Sequence, residues 1–323
     1  MPGVAVSIDM GGTNLRVAIV DEKGEILCRI SQPTKPERGR GKVFASLTEG
    51  VKEAMVKAKA KGLEPLGVGI GFPGVFADDG VILGAPQLPD WVGFAFLDAL
   101  RAAIEIPVFV ENDANCAALG EYWIFRGDLP DTFVFMTLGS GIGGGVILQG
   151  KLWRGYLGSA GEIGHIPVEP NGPFCGGGHQ GCIEVFSSAV GLKNLIGRVL
   201  DEGVTSPFLS AFKDRSPTVT PKDAYEAAKQ DDFGARRLFE RFGEYLGVAL
   251  ASVVNVLNPP AIVIGGNIAN AWEFFAPSIL PSLKRHTFPY VAERLKIRKA
   301  GLGEDAGILG AASLIFAKEA CLP

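Results

Sequence analysis

Two stretches of this chain share one design: a strand enters a glycine turn and leaves directly as another strand. That repetition limits the folds open to the chain. The first stretch is IDMGGTNLRVAIVD, residues 8–21, and the second is MTLGSGIGGGVILQGKL, residues 136–152. In the second, Gly139, Gly141 and Gly144 satisfy the G-x-G-x-x-G spacing of a dinucleotide-binding turn. Such a turn needs a helix immediately after its glycines, because the pyrophosphate rests on the helix N-terminus. Here the glycines lead into VILQG, where Val146 and Ile147 are β-branched and Gly150 turns the chain again. Glu162 lies at a suitable distance for the ribose-binding acid, but inside AGEIGH rather than at the end of a second strand. Context favours a hairpin whose turn lacks Cβ atoms, so that backbone N–H groups can approach phosphate oxygens as a nest. Two such hairpins would hold a triphosphate, with the Thr13 and Ser140 hydroxyls as added donors. A third turn, IGGNI at residues 264–268, would serve a nucleoside.

Between these turns the hydrophobic period alternates. Val43, Leu47, Val51, Ala54, Met55 and Ala58 recur at helical steps, whereas PLGVGIGF, ending at Phe72, is a short buried strand. Residues 94–104 read as a helix, and PVFVEND, residues 107–113, as a strand presenting Glu111, Asn112 and Asp113 at its carboxyl end. Residues 158–184 are dense in Gly, His and Cys and lack a regular period. A long helix is expected over residues 235–257, then a strand in NPPAIVIGGNI and a closing helix in EDAGILGAASLIFAKEA. Strands alternating with helices make the chain α/β, and 323 residues favour two domains. A formal net charge of −4 argues against nucleic acid as a main partner. Neither a signal peptide nor a run of ~20 apolar residues is seen. The five cysteines are scattered, so a reducing, cytoplasmic setting is expected.

Open α/β sheets place ligand groups at the carboxyl ends of their strands, which makes Asp113 the candidate general base, with Asn112 beside it. The alternative is that Asn-Asp simply caps the helix starting near Ala114. His165, Cys175, His179 and Cys182 make a tetrahedral zinc set; a loop that keeps its shape without metal is the alternative.

Taken together, IDMGGTNLRVAIVD, GFPG, VENDANCAALGE, TLGSGIGGGVILQGKL, AGEIGH, GCIE and LGEDAGILGAA resemble the ROK family of sugar kinases, from residue 4 to about residue 315. The AGEIGH form is most similar to the family's bacterial glucokinase branch. The resemblance implies a two-lobed actin-like ATPase (ribonuclease H-like) fold with a cleft between the lobes. The smaller lobe would be residues 1–113 plus 306–323 and the larger one residues 114–305. It implies ATP-dependent phosphorylation of the 6-hydroxyl of glucose, with Asp113 taking the proton. Sugar contacts would come from Gly74, Asn112, Asp113, Glu162, His165 and Glu184. ATP and its phosphates would be held by Asp9, Gly11, Gly12, Thr13, Asn14 and Arg16 from the first hairpin. Thr137, Gly139, Ser140, Gly141 and Gly143 would act from the second, with Gly265 and Gly266 from the third turn. Asp9 would organise Mg²⁺ through water. A homodimer or homotetramer is expected, and neither nucleic acid nor membrane as a partner.

Two departures from the family pattern matter. The chain reads CGGGHQGC, with Gly177 where the second cysteine of C-x-C-G-x-x-G-C should stand. Either His179 replaces it, or zinc is held by three protein ligands, or zinc has been lost. In GAPQLPDW, Gln87 stands where the family commonly has Asn, which leaves the sugar preference less secure. The enzymatic rivals are N-acetylmannosamine or N-acetylglucosamine kinase and, further off, fructokinase. A rival of another class is a sugar-binding regulator without catalysis. Repressors of the family carry a helix-turn-helix ahead of the first glycine turn, for which the eight residues before Asp9 leave no room.

Overall fold

The chain alternates strands and helices in two runs that repeat one sheet order. The computed structural model describes residues 1–213 and 220–317. The first run is β1 (Gly3–Met10), β2 (Asn14–Asp21), β3 (Ile26–Pro33), α1 (Arg40–Ala60), β4 (Glu64–Phe72), β5 (Val75–Phe76), β6 (Ile82–Gly84), α2 (Phe96–Ala103), β7 (Val108–Asn112) and α3 (Asp113–Ile124). The second opens with β8 (Phe133–Leu138), β9 (Ile142–Leu148) and β10 (Lys151–Leu152). Helices α4 (Glu184–Ser187), α5 (Ala189–Asp201), α6 (Pro207–Lys213), α7 (Pro221–Lys229) and α8 (Phe233–Leu257) follow. The chain ends with β11 (Ala261–Gly265), α9 (Trp272–Lys284), α10 (Pro289–Ala292), β12 (Lys296–Lys299) and α11 (Ala306–Phe316).

One sheet has the order β3-β2-β1-β4-β7 and the other β10-β9-β8-β11-β12. Each begins with a three-strand meander and adds two strands beyond its first strand, which is the echo heard in the two glycine hairpins. In the first sheet β1 pairs antiparallel with β2 and parallel with β4, and β4 pairs parallel with β7. The β4–β7 register sets Phe72 opposite Asn112, so the two strands end together. The glycines of residues 139–144 run into β9, a strand, and the dinucleotide alternative is excluded on that ground.

Strand alternation decides what each face of β1 meets. Val4, Val6, Ile8 and Met10 pack into a core with Val43, Leu47 and Val51 of α1. Ala5, on the opposite face, joins Ile308, Leu309 and Ala312 of α11. Asp9 has the parity of Ala5, and a Cβ at Gly307 would sit 2.8 Å from its Cγ.

Packing divides the chain into two compact units. One is Met1–Phe135, Gly144–Gly161 and the chain from Ala300 onward; the other is Met136–Gly143 and Glu162–Lys299. The division differs from the expected break after residue 113, because α3 packs on α11 at backbone distance and so stays with the first unit. A Cβ on Gly310 would lie 1.6 Å from the Cys116 carbonyl oxygen, and one on Gly120 2.4 Å from that of Ala306. Of the tail assigned to the smaller lobe, residues 318–323 lie outside the described residues. No helix among the described residues is long and apolar enough to cross a membrane.

Gly310→Ala must push α3 and α11 apart and is expected to destabilise the fold by about 2–3 kcal/mol. Gly197→Ala, in α5 with nothing within 4 Å of the new Cβ, is expected to stabilise it by about 0.5–1 kcal/mol. Urea denaturation of the two variants checks both signs.

Candidate functional site

In the first unit, the β1–β2 hairpin carries Asp9, Gly11, Gly12, Thr13, Asn14 and Arg16. Its turn closes through the Gly11 N–H on the Asn14 carbonyl at 2.8 Å. Thr34 braces it twice, its N–H donating to the Thr13 carbonyl at 2.9 Å and its hydroxyl to the Gly11 carbonyl at 2.7 Å. The Gly12 N–H donates to Gln87 Oε1 at 3.1 Å. Gln87, expected on the sugar side, here satisfies an amide of the first glycine turn. Asp9 and Arg16 are cross-strand partners, 3.4 Å apart, and Arg16 also faces Glu304. Burial pushes the Asp9 carboxyl above its ordinary range, and the Arg16 guanidinium opposes that shift.

At the end of β7 the chain turns into α3 through Asn112 and Asp113. Asn112 is the N-cap: its Oδ1 accepts from the N–H groups of Ala114 at 2.9 Å and Asn115 at 3.1 Å. Its Nδ2 donates to the Gly74 carbonyl at 3.3 Å, which binds the end of β4 to the same corner. The capping alternative therefore holds for Asn112, and that cap fixes Asp113 as the first residue of α3. The structure brings Gly74, Asn112 and Asp113 together, as the sequence reading grouped them. It adds Glu111, 4% exposed, whose Oε1 accepts from the Asn112 N–H at 2.8 Å and from Asn115 Nδ2 at 3.0 Å. Glu111 Oε2 receives Arg154 through Nε at 2.6 Å and also through Nη2. Sequence reasoning named Glu111 only as part of the strand end and gave Arg154 no part.

In the second unit, Thr137 lies on β8, Gly139, Ser140 and Gly141 form the turn, and Gly143 lies on β9. The Gly139 N–H donates to the Gly141 carbonyl at 2.9 Å, and the Ile142 N–H to Glu184 Oε2 at 3.0 Å. A Cβ on Gly141 would stand 2.3 Å from that carboxylate oxygen, so glycine is what admits Glu184 to the turn. Gly265 ends β11, and Gly266, at φ 83°, presses its backbone against Leu138.

His165 follows Glu162 on a short helical turn, Ile163–His165, with its Nε2 3.9 Å from Glu162 Oε2. Its other face belongs to the cysteine loop. The ligand atoms of His165, Cys175, His179 and Cys182 all lie within 4.8 Å of one another. Cys175 Sγ is 3.6 Å from His165 Nδ1 and 3.8 Å from His179 Nδ1. Zinc bonds of ~2.1–2.3 Å in a tetrahedron put neighbouring donors ~3.6 Å apart, so donor set and spacing both fit that ion. Burial, followed by the neighbouring Cys175, pushes the Cys182 thiol up to about 11. A cation held here would offset that cost by taking the thiolate as ligand. A Cβ on Gly177 would lie 3.3 Å from His179 Nδ1 and 3.4 Å from His165 Cε1. The position of the family's second cysteine thus abuts the cluster, where His179 offers a fourth donor atom.

Asn112→Ala removes the acceptor of two helix amides and the tie to Gly74. A loss of about 1–2 kcal/mol is expected on urea denaturation, against almost none for a substitution at exposed Lys52.

The geometry can be set beside known proteins. A glucokinase of Halalkalibacterium halodurans is 35% identical over 97% of this chain and 95% of its own length. A xylose repressor of Caldicellulosiruptor bescii is 27% identical over 99% of this chain and 80% of its own. Among solved structures, a ROK family glucokinase from Streptomyces griseus, in complex with glucose and AMPPNP, superposes with a TM-score of 0.81. It is 32% identical and covers 97% of this chain and 99% of its own. The fold is that of the actin-like ATPases, in agreement with the sequence resemblance. The ROK family profile matches residues 5–318, and with the two glycine hairpins, the Asn112–Asp113 corner and the His–Cys loop in place, this chain belongs to the ROK family.

Proposed function

We propose that this chain is an ATP-dependent sugar kinase that phosphorylates the 6-hydroxyl of glucose, with Asp113 as the general base. The corner at the end of β7 carries this proposal. The Asn112 cap holds Asp113 on the first turn of a helix, where the helix dipole favours negative charge. An ionised carboxylate there can take the proton of a sugar hydroxyl as its oxygen attacks the γ-phosphorus. The bond from γ-phosphorus to the bridging oxygen breaks, and ADP leaves with that oxygen. Each ring hydroxyl is both donor and acceptor, which suits Glu162, His165, Glu184, Asn112 and the backbone at Gly74. The glycine turns after β1 and β8 offer amides to the phosphates, with Asp9 beside the first as the water-mediated partner of Mg²⁺. Mg²⁺ would supply charge neutralisation on the transferred group. The glucokinase relatives support glucose as the acceptor.

The same reading gives His165, Cys175, His179 and Cys182 a structural Zn²⁺. It would pin Nδ1 of His165 and leave Nε2 toward Glu162, fixing the ring that meets the sugar. Two observations keep other readings in view. Gln87 departs from the family pattern, which leaves an N-acetylated hexose as a rival acceptor. The xylose repressor relatives favour, as a second reading, a sugar-binding regulator without turnover.

ADP release from Mg-ATP, measured against glucose, N-acetylmannosamine, N-acetylglucosamine, mannose and fructose, separates these. Turnover with glucose that drops roughly 10³-fold or more in Asp113→Ala is expected. Preference for an N-acetylated sugar moves the substrate, and sugar binding without turnover in any case supports the regulator.

Metal analysis of protein purified without chelators is expected to give one zinc per chain, lost in Cys182→Ser together with a fall in melting temperature. Gly177→Cys combined with His179→Ala is expected to keep the metal. Metal-free wild-type protein that melts normally would remove zinc from the account.

A further inference from the structure

Glu111, 4% exposed, forms an ion pair with Arg154, and no step of the proposed reaction uses them. Glu111 sits immediately before the Asn112–Asp113 corner and directs its carboxylate to that corner and to Arg154. Its Oε1 takes the Asn112 N–H and the Asn115 side chain, which also lies on the first turn of α3. Its Oε2 takes two nitrogens of Arg154, the fork geometry that fixes direction as well as distance. Asn115 is 2% exposed and its Oδ1 accepts no hydrogen bond among the described residues, so its side chain is tied through Nδ2 to Glu111. Arg154 holds a second segment: its carbonyl accepts from the Ala160 N–H at 2.9 Å, closing the loop that leads to Gly161. Glu162 is the next residue of the chain. The side chain of Arg154 is 42% exposed and lines a cavity of ≈ 880 Å³ together with Glu111, Arg101 and Trp153.

We infer that the Glu111–Arg154 pair is a positioning element for the base: Arg154 neutralises and orients Glu111, and Glu111 holds the Asn112–Asp113 corner in register. This rests on Asp113 as the base of the kinase reading, while the pairing itself does not. A buried carboxylate that loses its cation is unpaired and charged, so it must turn toward water and release the Asn112 N–H and Asn115. A purely structural pair would change folding stability and leave the chemistry of the folded fraction alone. A positioning pair changes the rate of the bound complex.

The test compares Arg154→Ala, Arg154→Lys and, as a control on the same cavity wall, Arg101→Ala. Arg154→Ala is expected to lower kcat by roughly 10- to 100-fold with KM for ATP within about twofold, the pattern of a misplaced group rather than lost binding. Arg154→Lys should recover part of the loss. Guanidinium at millimolar concentration should recover part of it in Arg154→Ala, since the open cavity gives it a path to Glu111. Arg101→Ala should match wild type. Amide hydrogen exchange is read in parallel, with the Asn112 N–H expected to exchange about tenfold faster or more in Arg154→Ala. Unchanged kcat, or a loss explained by a smaller folded fraction with no guanidinium rescue, overturns the inference. Should wild type turn over no sugar, the kinase reading falls and the positioning role for a base falls with it; exchange then tests the pairing alone, faster exchange at Asn112 showing that Glu111 holds the corner and unchanged exchange showing that it does not.

Discussion

Helix α11 meets β4 and α3 at backbone distance, through Gly69, Gly120 and Gly310. A Cβ on Gly69 would lie 1.8 Å from the Ala311 carbonyl oxygen, and one on Gly310 1.6 Å from that of Cys116. Interiors are packed too tightly to absorb such atoms, so these contacts lock the spacing of three elements at once. The start of α3 is then fixed relative to β4 and β7, and with it the Asn112–Asp113 corner. The same helix passes over Asp9, and Gly307 leaves space for that carboxylate. The residues proposed for the base and for the metal-bound water thus take their places from one set of close contacts made by small residues.

Within each unit, several polar groups of the candidate site are tied to one another. Gln87 accepts from the first glycine turn, Glu184 from the second, and Asn112 from the helix it begins. Each tie joins a residue expected on the sugar side to a turn or helix end with amides to satisfy. The physical reason is the cost of an unmade hydrogen bond at a turn or helix end: a backbone N–H with no partner in its own element needs a side-chain acceptor.

The local geometry of the candidate site was legible in part from the sequence, and the legible parts share a local cause. The hairpins at Asp9–Asn14 and Gly139–Gly144 announce themselves because glycine before a β-branched run has few alternatives. The His165, Cys175, His179 and Cys182 set was legible from donor type and spacing, and the turns of the loop bring the four donor atoms within 4.8 Å of one another. Asn112 and Asp113 left two readings open, cap or chemistry, and the structure shows Asn112 as the cap and Asp113 as the first residue of the helix it caps. The unit boundary was not legible, because α3 stays with the first unit through packing on a helix nearly 200 positions later in the chain. Arg154 carried no signal at all: 43 positions separate it from Glu111, and an arginine in a loop ordinarily faces solvent.

What the sequence determined by itself was the kind of chain this is: α/β, built on two glycine hairpins, with the motifs of the ROK family in order. Those properties follow from period, turn chemistry and residue type, all of which act within a few positions. What only the tertiary structure decided was which polar groups meet: Gln87 with Gly12, Glu184 with Ile142, and Glu111 with Arg154. Such pairings depend on where whole elements come to rest, and that is set by the summed packing of glycine-permitted contacts between segments far apart in the chain.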